Sequence, residues 1–114
     1  MPSNGQRLEL RKAVQVPLRF RVQNSASLDM YPGQATNMSD HGIFIRTPRP
    51  LSVGDVLVIM LTLPMEVTGR PPEAVRCRAR VVRVELLREA DACAAAGLSI
   101  QSCERIEATA RRSN

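Results

Sequence analysis

Arg7 and Arg11 stand four residues apart in the run Arg7-Leu-Glu-Leu-Arg11-Lys12. In a helical segment they would share a face, and both guanidinium forks could close on a single anion. The bland alternative is a solvated basic tail. A second polar stretch, Asn37-Met-Ser39-Asp40-His41-Gly42, leads into the alternating Ile43-Phe44-Ile45-Arg46-Thr47. Asn, Ser and Asp side chains bond nearby backbone, and Gly42 can take a positive φ without steric cost. These residues therefore spell a tight turn delivering the chain into a strand. Catalysis fits poorly. His41 is the only histidine, and a Ser39–His41 pair lacks both an orienting acid and the glycine pattern of a nucleophile elbow. There is no glycine-rich phosphate loop. Cys77, Cys93 and Cys103 are odd in number and lack a Cys-x-x-Cys spacing, which argues against a disulfide framework and against a zinc site. The expectation is a binding module: not an enzyme, with no catalytic residues, no metal and no cofactor.

The chain that must position these residues has 114 residues, which is the size of one domain with a modest core. Only Phe20, Tyr31 and Phe44 are aromatic, so that core is built from Val, Leu, Ile, Ala and Met. There are 16 basic residues against 11 acidic ones, net +5, and every basic residue except Lys12 is Arg. Arg presents a planar fork suited to phosphates and guanine edges, although genome composition can produce the same bias. No signal peptide and no long apolar run are visible, so a soluble, cytoplasmic protein without a membrane segment is expected.

Met1 to Gln6 is polar and is expected to be a flexible N-terminus. From Val16 to Val22 apolar residues alternate with Arg19 and Arg21, the pattern of a half-buried strand, with Pro17 making its start an edge. Gln34 to Met38 reads as a short strand, Ile43 to Thr47 as another, and Val56 to Leu63 as a buried one. Val75 to Leu87 is the longest, with Arg76, Arg78 and Arg80 outward. Its phase slips at Val81-Val82, which marks a bulge of the kind that bends strands around barrel corners. Residues 88–96 read as a connection, Gly97 to Ile100 as a short last strand, and residues 103–112 as helix formers with a weak apolar face. The sum is an all-β fold: a small six-stranded antiparallel barrel with a short C-terminal helix. The expected division is a flexible 1–6, a barrel with its arginine arm over 7–101, and a helix and tail over 102–114.

In this order the residues resemble the PilZ domain family. Arg7-Leu-Glu-Leu-Arg11 matches its Arg-x-x-x-Arg motif before the first strand, and Asn37-Met-Ser39-Asp-His-Gly42 matches its Asp/Asn-x-Ser-x-x-Gly motif. Leu51-Ser-Val-Gly54-Asp55 and Arg80-Val-Val-Arg-Val84 agree as well, so the likeness runs over roughly residues 7 to 101. It implies a receptor for the bacterial second messenger cyclic di-GMP that alters its surface on binding and signals to an unidentified effector protein in motility, pili or exopolysaccharide control. The ligand-binding residues it implies are Arg7, Arg11, Asn37, Ser39 and Gly42. Gln6 stands where many members carry a further Arg, which leaves one ligand per domain as reasonable as two. Two other readings remain. One is a PilZ-type adaptor that binds no nucleotide. The other is a small RNA- or single-stranded-DNA-binding barrel, disfavoured by the lack of aromatic stacking platforms.

Overall fold

The computed structural model describes residues 13–106 apart from Asn24, Asp40, Ala90 and Asp91. Six strands close into one antiparallel barrel: β1 (Ala13–Val22), β2 (Tyr31–Met38), β3 (Gly42–Thr47), β4 (Val56–Leu63), β5 (Glu73–Glu89) and β6 (Ala92–Arg105). Around the ring the order is β1-β2-β3-β6-β5-β4. Alternation decides which side chains fill it. Val16, Leu18, Phe20 and Val22 of β1 point inward, as do Ile43, Ile45 and Thr47 of β3 and Val75, Cys77, Ala79 and Val81 of β5. Phe20, Ile45, Leu57, Ile59 and Val81 are wholly buried, so a core almost free of aromatics is filled by branched aliphatics. Thr47 is the one buried polar side chain in the described part. It is satisfied, because its Oγ1 donates to Pro32 O (2.8 Å) and accepts from Arg49 N (3.2 Å).

The phase slip in β5 is a bulge: the register with β6 shifts between Val81 and Arg83. A bulge frees backbone groups, and here the Leu51–Asp55 turn takes them. Gly54 N donates to Val81 O and Val81 N donates to Asp55 O, each at 2.8 Å. Gly54 needs its glycine, with φ of 100°, while Asp55 Oδ2 accepts from Ser52 N and closes the turn. Pro17 behaves as its chemistry requires. It faces Gln34 of β2, and the ladder of β1 with β4 begins only at Leu18.

Three expectations are corrected. The region 88–96 is mostly strand and not a connection where it is described: β5 runs to Glu89, β6 begins at Ala92, and the two form a long hairpin. Ala94, Ala95 and Ala96 are buried there, their helix propensity overruled by ladder pairing on both sides. The last strand is correspondingly long, and β6 continues through 102–105 instead of giving way to the short C-terminal helix; residues 107–114 lie outside the described part. Among the described residues the sole helix is α1 (Met65–Thr68), a single turn closed by Gly69 at φ 76°. Thirdly, the β5–β6 register sets Cys77 opposite Cys103 with Cα atoms 4.0 Å apart, and the two form a disulfide. A bridge between residues 26 apart depends on strand pairing and leaves no local spacing signal. Beyond the bulge Val82 and Leu86 are exposed, and of the following β5 residues only Val84 packs against the core. No helix among the described residues is long and apolar enough to cross a membrane.

Candidate functional site

The turn between β2 and β3 is held by one hydroxyl. Ser39 Oγ accepts from Gly42 N (3.2 Å) and His41 N (3.4 Å), while Ser39 N donates to Gly42 O (2.9 Å). Ile100 N donates to His41 O at 2.9 Å and ties the turn to β6. Gly42 is required for a different reason from the expected one. Its φ is not positive; instead, a Cβ there would stand 3.0 Å from Leu98 O of the adjoining strand. Close approach of two backbones excludes a side chain at that point. Asp40 lies outside the described residues, and His41 is exposed.

Asn37 sits at the end of β2 with its side chain outward and exposed, flanked by Ala13 of β1 and Phe44 of β3. A shift in both ladders beside Thr36 produces this orientation, and Thr36 Oγ1 donates to Phe44 O (3.4 Å). Continuing across the sheet, Phe44 faces Gly97 of β6 and Gly97 faces Arg83 of β5. One row therefore crosses four strands on the outer surface: Asn37, Phe44, Gly97, Arg83. Because Gly97 carries no side chain, the Arg83 guanidinium reaches across it and lies over the Phe44 ring, 5.6 Å from the centroid. No carboxylate among the described residues pairs with Arg83. A hollow of about 430 Å³ lies here, lined by this row together with Ser39, Gly42 and Val82.

The structure thus gathers Asn37, Ser39 and Gly42 at one end of one hollow, but with unequal roles. Asn37 presents a free amide, Ser39 is spent largely on the turn, and Gly42 supplies backbone clearance. Arg7 and Arg11 lie outside the described residues. Phe44 and Arg83 are additions that reading the sequence missed. Phe44 looked like one more strand residue, although it is the only aromatic on the outward set of an alternating strand, and that was the available signal. Arg83 could be assigned to this hollow only through the pairing of β5 with β6. Chemically, the hollow offers an aromatic face, a guanidinium fork and an amide that both donates and accepts. That combination suits a flat heterocycle with acceptors on its edge and an attached anion.

A closed six-stranded antiparallel barrel of this strand order is a fold of a defined class. The chain belongs to the PilZ domain family, whose model matches residues 5–112. Its fold is shared with the Bacillus subtilis inhibitor of motility, MotI/DgrA, at a TM-score of 0.61 and 17% identity over 90% of this chain. The chain spans 44% of that protein. No curated protein matches it.

Proposed function

We propose that this domain is a receptor for cyclic di-GMP that passes its bound state to a partner protein. The observation that carries the reading is the outer row Asn37–Phe44–Gly97–Arg83 beside the Ser39 turn, at the point where the arginine arm joins the barrel. Ala13, which follows Arg11 by two residues in the sequence, is paired with Asn37, which lines the hollow. Arg7 and Arg11 supply forks for phosphate or for the O6/N7 edge of guanine, and Asn37 bonds a guanine edge. Phe44 with Arg83 provides the stacking surface, and Ser39 and Gly42 hold the floor. The domain has no catalytic role in this scheme. Its ligand and its effector act in the cytoplasm.

Calorimetric titration tests the reading and gives stoichiometry at once. Cyclic di-GMP should bind saturably, and cyclic di-AMP should not, because adenine presents a donor where guanine has its O6 acceptor. Equal binding of both would remove the guanine-edge assignment. Binding of neither would leave a PilZ-type adaptor that works without nucleotide.

A further inference from the structure

In the strand ring β1 and β4 lie opposite β6 and β3, and a second outer surface spans β1 and β4 and continues onto the parts of β5 and β6 that lie across the bulge from Arg83 and Gly97. Two rows cross it, Arg19–Met60–Arg76–Glu104 and Arg21–Val58–Arg78–Ser102, and Arg80 follows along β5 opposite Val56. Five guanidiniums share this wall with one carboxylate, Glu104, which pairs with Arg76. Among the described residues no carboxylate pairs with Arg19, Arg21, Arg78 or Arg80. Guarding a sheet edge does not account for them, because β5 is paired on both sides in a closed ring. The wall is not uniformly polar either. Val58 points outward yet is only 8% exposed, since Arg21, Arg76 and Arg78 frame a hollow of about 360 Å³ over it; neighbouring Met60 is 36% exposed.

We propose that this wall docks an acidic protein surface carrying an apolar side chain that fills the hollow over Val58. Alternate arginines along β5 are spaced by about 7 Å, and the two rows bring an Arg of β1 and an Arg of β5 to either side of β4, about 9.5 Å apart. Carboxylates alternating on an extended partner strand recur at the same spacing, and each can accept a guanidinium fork bidentately. Arg and Met around a desolvated centre, with no Lys, is the composition of a protein interface. Two other occupants fit less well. Nucleic acid would want stacking platforms, but Phe20 is interior, Tyr31 lies under Arg49, and Phe44 is on the other wall. A second copy docked about a two-fold axis would set arginines against arginines. The inference does not depend on nucleotide binding.

The test is fluorescence anisotropy with a labelled peptide of alternating Glu and Leu, a Gln/Leu control peptide, and single-stranded and duplex DNA oligonucleotides. At about 0.15 M salt the Glu/Leu peptide should bind saturably and the control should not. Arg78→Glu should weaken peptide binding by about tenfold or more, and Met60→Gln by about threefold, whereas Arg83→Glu, the same charge change further along β5 and outside the two rows, should cost less than about twofold. Melting curves confirm that each variant is folded. Equal losses from Arg78→Glu and Arg83→Glu would overturn the proposal by showing net charge alone. Tighter binding of either oligonucleotide than of the peptide, abolished by Arg78→Glu, would overturn it in favour of nucleic acid. Dimerisation on sedimentation that Arg78→Glu abolishes would overturn it in favour of a second copy.

Discussion

Ser39 has two duties that can be separated by measurement. Its hydroxyl accepts from two backbone N–H groups, so Ser39→Ala should destabilise the domain by about 1–2 kcal/mol in denaturant titrations, in addition to weakening ligand binding. Asn37 is exposed and braces nothing that the structure shows. Asn37→Ala should therefore leave the melting temperature unchanged while reducing affinity for cyclic di-GMP. At Gly42 the contest is steric: a methyl 3.0 Å from Leu98 O forces β3 and β6 apart. Gly42→Ala should cost about 1–3 kcal/mol of stability, and Gly42→Val more. The stacking pair predicts a different pattern. Phe44→Ala and Arg83→Ala should each lower affinity for the nucleotide, and the double variant should lose less than the sum of the two. The two side chains form one surface, so either loss removes part of what the other offers. Additive losses in that cycle would mean that the two contact the ligand separately.

Among the elements, β5 and β6 carry most of the barrel's coherence, because each long strand borders two others and the pair is stapled by Cys77–Cys103. Closing a loop of 26 residues removes unfolded-state freedom worth about 3–4 kcal/mol in the chain-entropy account. A reductant, or the double change Cys77→Ser with Cys103→Ser, should therefore lower the melting temperature measurably. The barrel should still form, since Phe20, Ile45, Leu57 and Ile59 lie at the centre of the core and do not depend on the bridge. Insensitivity to reductant in oxidised protein would show that the thiols are not joined in solution. The bulge at Val81 is the other element-level device. It both turns β5 and anchors the Gly54 turn, which couples the connection between β3 and β4 to the strand that carries Arg83.

At the scale of the molecule, a closed barrel has little freedom to move, so a change on binding belongs to the segment that joins it from outside. In the proposed complex the ligand's phosphates are bound by Arg7 and Arg11 together and offset the repulsion between the two guanidiniums. Arg7→Ala or Arg11→Ala should each weaken binding by about 1.5–3 kcal/mol while leaving circular dichroism unchanged. Hydrogen exchange should show protection rising at residues 5–13 on adding cyclic di-GMP, and rising less in β5. Unchanged protection at 5–13 with binding intact would route the signal through another part of the surface.

What the sequence by itself determined is what local chemistry writes in fixed periods. Alternation exposed the inward faces of β1, β3 and the first half of β5. The break in that alternation located the bulge at Val81-Val82, and Asn37-Met-Ser39-Asp-His-Gly42 marked the turn that borders the hollow. Helix propensity misled where pairing partners overruled it, at Ala94–Ala96 by a ladder on either side and at 102–105 by the ladder with β5 alone, because a residue's own preference is worth less than strand pairing. What only the tertiary structure decided is every relation across the ring. Gly97 comes to lie between Phe44 and Arg83, Cys77 meets Cys103, a backbone carbonyl of Leu98 excludes a Cβ at Gly42, and arginines from β1 and β5 come to share one wall. Those relations depend on strand register and barrel closure, which are set by how the whole core packs and leave no mark at fixed spacing along the chain.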